Sequence, residues 1–476
     1  MRPIPAPTRP LTGFERLMLE VGPSMGADLI ALRLEGPMDA DRLKSAARQL
    51  AIRHPLLRAR VEPGPPAMFV GTDAAEVPVR RSEAHWQQAL QAELHTPFDP
   101  ISEPMFRVGF AADGDAHWVW IAAHHAVVDG KSLYQLGWDL LRALAGILPS
   151  ESLPMPPAPT APLSLGAPLQ WAAEQAWLAA VREHVEQPAV PPRRALAPGE
   201  KPRSCVAFDS LPGSKALLAA VRREQTTIGG AFFAAVRFAV ARWEDRFGND
   251  PLARKIGLDV QVNLRGRLND SPDAEQVSFC TAGVRAFSRL SDTPDFWALA
   301  RQLGGSVKRS AEMRLPVGVH AFMDGMDGLG MALGRGRIQL GHSAGTTKLV
   351  DASNVGPWPF ATALGPWKVT GVHGLCGASL GGAAGIFWLR TLGDRLFLNA
   401  VGNEPYVNAD DLRTLQLDVS LALEAAIQGR NLNAAVWASR EARRMPAEVR
   451  PELAQCAPSR QDSASEKHDP RILVGA

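Results

Sequence analysis

A two-domain α/β chain is the fold class that the sequence predicts, and three observations carry that prediction. At 476 residues the chain exceeds what one hydrophobic core usually supports. Strand-like apolar runs and helix-like periodic segments alternate along both halves. Between the halves lies QPAVPPRRALAPGEKP, from Gln187 to Pro202, whose prolines and charges suit an extended connection. The expected division is an N-terminal domain over 1–187, a linker over 188–203, a C-terminal domain over 204–430 and a poorly ordered polar tail over 431–476.

Composition narrows the classes. With 46% hydrophobic and 21% charged residues the chain is that of an ordinary globular protein. Its 51 basic residues against 49 acidic ones advertise neither a nucleic-acid nor an anionic-membrane partner. Cys205, Cys280, Cys376 and Cys456 form no CxxC pair, which argues against a zinc site or a disulfide framework. The opening MRPIPAPTRPLTG has no apolar signal core, and the longest apolar stretch, AFFAAVRFAVARW, is interrupted by Arg237 and Arg242. A cytoplasmic protein with no membrane span is the expectation.

Taken in order, Gly36–Arg53 has helical spacing with Asp39 or Asp41 as N-cap, and His54-Pro55 stops it. LLRARVEP and MFVG predict strands, and Glu83–Glu93 a helix. FRVGFAADGDAHWVWIAAHH predicts a strand, a turn at Asp113-Gly114-Asp115, and a second strand whose apolar run from Trp118 to Ala123 suits burial on both faces. From Ser132 the leucines at 133, 136, 140, 141 and 144 mark a helix ending near Gly146. A short helix with Trp171 and Trp177 is expected between proline-rich segments. The second half predicts helices over Gly213–Arg223, Gly229–Arg246, Asp295–Glu312 and Asp410–Ile427, and strands over Lys255–Val262, near Ile338 and over Phe387–Leu398.

The chemistry concentrates where the central strand ends. His124 and His125 stand side by side, followed by Asp129 and Gly130, giving HHxxxDG. A loop held by a rigid sheet and open to a cleft is where α/β architectures present catalytic groups. A neutral imidazole, with an ordinary pKa of about 6.5, can accept a proton from a hydroxyl or amine and return it to a leaving group. Asp129, if buried in that turn, needs a cationic or hydrogen-bonding partner and so would brace the loop. Two blander assignments compete: a hydrogen-bonded core pair, and a metal site, which lacks a third ligand motif.

These residues resemble the HHxxxDG acyltransferase superfamily, which includes nonribosomal peptide synthetase condensation domains, alcohol acetyltransferases, polyketide-associated acyltransferases and chloramphenicol acetyltransferase. PLTGFERLM from Pro10 and LAIRHPLLRARV from Leu50 are similar to the superfamily's opening segments. LDVQVNLRGRL from Leu258 resembles its strand ending in an arginine, and DASNVGPWP from Asp351 its Ser-Asn-x-Gly segment. The likeness spans about Pro10 to Gly429.

The resemblance implies two chloramphenicol acetyltransferase-like lobes in a V, with HHxxxDG at the middle of a central channel. It makes His125 the catalytic base, and His124, Asp129 and Gly130 structural residues of the site. It gives Arg265 as partner of Asp129, with Arg267 as fallback, and places Ser353, Asn354 and Gly356 near the channel. An oxyanion donor is expected from a backbone N–H near Gly130 or from Asn354. No permanently bound cofactor and no metal are implied. The co-substrate is an acyl-CoA or a phosphopantetheinyl-carrier thioester, and the partners are a small-molecule acyl acceptor and an acyl carrier protein.

Departures refine this. TTIGGAFFAAV lacks the Asn-Asp pair of a bacterial wax ester synthase, and VSFCTAGV replaces the Gly-x-Phe-x-Asn strand of peptide-forming condensation domains. The Asp-Phe-Gly-Trp-Gly signature of the plant enzymes is absent too. Ester formation is thus favoured over amide formation, and a catalytically inactive binding module is the alternative. A hydrolase reading of GASLG, with Ser379 as nucleophile, needs a later histidine, and only His468 follows. GLGMALG has the wrong spacing for a dinucleotide loop. His320, His342 and His373 are candidate channel residues whose commoner role is structural. Trp358 and Trp367 are candidates for an apolar acceptor pocket.

Overall fold

The computed structural model describes residues 7–25, 27–73, 76–162, 203–246, 250–325, 348–377, 383–430 and 432–438. The strands of the first half are β1 (Thr8–Pro10), β2 (Ala27–Glu35), β3 (Ala59–Glu62), β4 (Met68–Gly71), β5 (Val79–Ser82), β6 (Phe106–Asp113) and β7 (Ala116–His124). Those of the second half are β8 (Arg203–Pro212), β9 (Lys255–Asn263), β10 (Thr281–Arg289), β11 (Lys348–Pro357), β12 (Ala363–Leu364), β13 (Trp367–Cys376), β14 (Ala383–Leu392) and β15 (Arg395–Glu404). They form two six-stranded mixed sheets, in the orders β12-β13-β2-β7-β6-β5 and β10-β9-β11-β14-β15-β8, and a small sheet β1-β4-β3. The α/β class is the observed one.

Local chemistry sets the helix ends. The helix Ala40–Arg53 starts four residues after Gly36, where the expected segment began, because the Asp39 carboxylate caps it by accepting from Arg42 N at 2.7 Å. Leu43, Ala46, Ala47, Leu50 and Ala51 form its buried stripe, and Pro55 forces His54 out of helical geometry. In the turn between β6 and β7, Gly114 adopts φ +62° as a tight connection requires.

Each large sheet has its own core. Leu29, Ile30, Val119 and Ile121 belong to the first; Phe232, Phe238, Leu258 and Leu415 to the second. β14 and β15 lie between them, and their alternation is visible residue by residue. Ile386, Trp388, Leu392, Phe397 and Val401 join the first core, whereas Phe387, Leu389, Leu396, Leu398 and Ala400 join the second.

Two sequence expectations are corrected here. WKVTGVHGLC, over which the sequence predicts no strand, is the ten-residue β13, paired antiparallel with β2 from Lys368↔Glu35 to Cys376↔Asp28. Its glycines mark close approaches rather than a loop, since a Cβ on Gly371 would lie 2.9 Å from the Trp118 ring. The single strand expected over Phe387–Leu398 is a hairpin, with Leu392 opposite Arg395 across Gly393-Asp394. A Gly-Asp pair between apolar runs was a legible turn signal.

β13 therefore carries chain from the second half into the sheet of the first. Asn399 on β15 stitches it there: its Nδ2 donates to Gly374 O at 2.6 Å, and Gly374 N donates back to Oδ1 at 3.4 Å. Within the span expected to be tail, Ala434–Ala438 is helical, with Ala434 and Trp437 buried. Of the expected linker only Arg203 is described, and it opens β8; the rest of it, the Trp171/Trp177 helix, the strand near Ile338, GLGMALG, His342, Ser379, Cys456 and His468 lie outside the described residues.

Candidate active site

β7 runs between β2 and β6, so its C-terminal end is held from both sides. Ala27 pairs with His124 and Asp28 with Ala123. The chain then turns through His125–Val127, and the helix Gly130–Leu144 begins. His124 points into the core, where its Nδ1 accepts from Ala126 N at 3.1 Å. Burial, reinforced by the neighbouring His125, lowers its pKa to about 4, which keeps the ring neutral and able to accept that bond.

His125 faces a different environment. Its Nδ1 is 3.0 Å from Val128 O and 3.1 Å from Asp28 Oδ2. Both neighbours are acceptors, so the proton of the neutral ring sits on Nδ1 and the lone pair on Nε2. Among the described residues Nε2 makes no hydrogen bond, and 20% of the side chain reaches solvent. The ring is braced edge-on by Phe279, with centroids 5.3 Å apart. Burial works to lower the His125 pKa, but the Asp28 charge and hydrogen bond, with the Val128 carbonyl, outweigh it, and the net direction is upward.

Asp129 is buried and spends its carboxylate on structure. Oδ1 accepts from Lys131 N at 3.1 Å and Ser132 N at 2.8 Å, capping the helix. Oδ2 accepts from Arg265 Nη1 at 2.6 Å and Cys280 N at 3.0 Å. Burial alone would raise its pKa; the Arg265 charge and these donors more than offset that, and it is lowered. Arg265 Nη2 also donates to Ser132 Oγ at 2.8 Å and Ser278 O at 3.0 Å. Ser132 Oγ in turn donates to Ser278 O at 2.7 Å. One network thus ties the helix start to the end of β9 and to the segment before β10. Arg267 donates instead to Ala311 O at 3.2 Å and takes no part.

The β11 residues close another side. Val355 O accepts from Lys131 Nζ at 3.1 Å, and Gly356 O from Tyr134 Oη at 2.9 Å. Asn354 Oδ1 accepts from Gly356 N at 3.1 Å, which leaves Nδ2 without an acceptor among the described residues. Ser353 is half-buried opposite Trp388. A Cβ on Gly130 would meet only Val355, at 3.4 Å, so space alone does not demand glycine there. His320 and His373 are both buried, His373 among Trp86, Trp118, Phe208 and Phe397. Trp358 packs edge-on against Tyr134, and Trp367 is buried at the start of β13. Among the described residues no group of His, Cys, Asp and Glu could hold a metal ion.

Residues 26–243 match the family model described as Condensation domain. Over 88% of this chain and 95% of the other, the fold is similar to TRI3 trichothecene 15-O-acetyltransferase from Fusarium sporotrichioides, with TM-score 0.68 and 12% identity. The resemblance to condensation domains read in the sequence is borne out over residues 26–243, and the likeness of fold extends beyond them. The first condensation domain of the calcium-dependent antibiotic synthetase is similar in fold too, at TM-score 0.62, 15% identity and coverage of 88% and 96%. Tyrocidine synthase 3 from Brevibacillus parabrevis is 37% identical over 120 residues, which is 24% of this chain and 2% of that synthase. The chain thus spans a small fraction of the curated relatives it matches.

Against the superfamily pattern, the residues missed by sequence reasoning are Asp28, Ser132, Ser278 and Phe279. Asp28 carried one signal, an acidic residue directly before the apolar run Leu29–Leu32 in ADLIALRLE. Nothing in the sequence indicated that β2 would set it beside His125.

Proposed function

We propose that this chain is a condensation-type acyltransferase that moves an acyl group from a CoA or carrier-protein thioester to the hydroxyl of a small-molecule acceptor, with His125 as general base. The observation that carries this reading is the pair of acceptors on Nδ1, which leaves Nε2 as a lone pair without a partner among the described residues. In the reaction, Nε2 takes the hydroxyl proton as the oxygen attacks the thioester carbonyl. The tetrahedral oxyanion collapses with cleavage of the C–S bond, and the imidazolium returns the proton to the departing thiolate. Asn354 Nδ2 is a candidate oxyanion donor, and the N–H groups of Lys131 and Ser132 are not, because Asp129 already occupies them.

An ester product is preferred over an amide because the sequence departs from peptide-forming domains at VSFCTAGV, and because the TRI3 protein is an O-acetyltransferase. A cytoplasmic location and an acyl carrier partner belong to the same proposal; no described helix is long and apolar enough to cross a membrane. Mass spectrometry of products from pooled acyl-CoAs and carrier-bound thioesters with candidate alcohols and amines tests it. Ester formation by the wild type and its loss in His125→Ala is the expected result. No thiol release with any donor would instead favour a catalytically inactive binding module.

A further inference from the structure

Six arginines are buried among the described residues, and five of them have an evident reason to be there. Arg9 pairs with Glu15, Arg107 with Glu93, Arg242 with Asp418, and Arg53 with Glu275. Arg237 donates to the carbonyls of Pro251 and Arg254, with the charge of Glu244 acting on it. Arg390 differs. It is 2% exposed, its Nη1 makes one long bond to Gly374 O at 3.3 Å, and its enclosed Nε has no acceptor among the described residues. Among the described residues no carboxylate lies within ion-pair distance of it, and the Asp28 charge acts on it only from farther along the sheet.

Its place is built rather than accidental. Arg390 occupies the β14 row of Ile386, Trp388 and Leu392, an otherwise apolar face turned to the first core. The guanidinium lies on Gly374, where a Cβ would come within 2.0 Å of Nη2, so only glycine at 374 admits it. The Tyr134 ring stands 5.8 Å from Cζ. Gly374 is opposite Ile30, two residues along β13 from Cys376, and Cys376 is opposite Asp28, the carboxylate that grips His125. The guanidinium is therefore about two residues of strand, roughly 7 Å, along the sheet from that carboxylate.

An unpaired cation in such a position is costly unless an anion compensates it, and a guanidinium fork is shaped for two carboxylate oxygens. We propose that Arg390 is the anchor for a carboxylate carried by a reactant, holding it beside His125. This deepens the acyl-transfer reading of the site and rests on it for the meaning of the bound molecule, though the binding itself does not require turnover. The carboxylate comes either on the free small molecule or at the far end of the acyl chain, and the chemistry of capture is the same.

Calorimetry and thermal shift on the full chain test the anchor, with acetate, lactate and benzoate as probes and their amides as uncharged controls. In parallel, succinyl-CoA is compared with butyryl-CoA. The wild type is expected to bind the carboxylates over the amides, or succinyl-CoA over butyryl-CoA; the first outcome assigns the anion to the free molecule, the second to the acyl chain. Arg390→Met should lose about tenfold or more of that preference while melting no lower than wild type, and Arg390→Lys should retain part of it. His125→Ala should bind as wild type does, so that loss of the transfer reading and loss of the anchor remain distinguishable. No carboxylate preference in wild type, an unchanged preference in Arg390→Met, or failure of that variant to fold would overturn the proposal.

Discussion

Asp28 Oδ2 lies 3.1 Å from His125 Nδ1, a contact made across the β2–β7 ladder between residues far apart in sequence. It sets both the tautomer and the basicity of the ring. His125→Ala should therefore reduce turnover by about a hundredfold or more and leave the circular dichroism and melting curve close to wild type. Near-normal turnover would exclude His125 as the base.

Removing the carboxylate alone has a different signature. Asp28 raises the His125 pKa, and a base must be unprotonated, so activity should fall on the acid side through that raised value. Asp28→Asn should move the acid limb of the kcat/KM profile to lower pH and lower its plateau by roughly tenfold, because the Val128 carbonyl still holds the tautomer. An unmoved limb would detach Asp28 from the titration.

The two histidines should titrate in opposite directions by NMR. His124, held neutral, should protonate at about pH 4, and His125 above the ordinary histidine value. The linkage follows in sign. With its folded pKa below the unfolded one, His124 removes stability as pH falls from about 6.5 toward 4. With its folded pKa raised, His125 adds stability below about pH 6.5 that is lost as pH rises through the folded value. His124→Gln should flatten the first dependence in urea titrations and leave the second.

Asp129 belongs to stability as much as to activity. Breaking its buried pair with Arg265 should cost about 3–5 kcal/mol. Asp129→Ala and Arg265→Ala should each lower the urea midpoint substantially, and the double variant should lose less than the sum. Because the Asp129 pKa is depressed, the wild-type contribution is present above about pH 4 and fades as pH falls through the folded value. Asp129→Asn should remove that acid-side dependence.

What the sequence disclosed was whatever is local. The helix Gly130–Leu144 follows from its leucine spacing, and the β6–β7 hairpin from Asp113-Gly114-Asp115, since both patterns are written within one segment. HHxxxDG was legible for the same reason. Asp28 was not, because its role depends on the register of β2 against β7. β13 went unpredicted because glycines that weaken a strand in isolation are demanded here by the Trp118 ring and the Arg390 guanidinium. Arg265 reached Asp129 by motif position alone; the part played by Ser132, Ser278 and Cys280 N is a property of packing that no spacing encodes.

The threading of β13 beside β2 has a consequence for how the molecule is made. While the ribosome is still adding the second half, the outer edge of β2 must wait bare, its amides and carbonyls open to any passing strand. A fragment cut before Trp367 should inherit that open edge permanently and self-associate. Supplying Trp367–Cys376 as a separate peptide is then the direct way to quiet it.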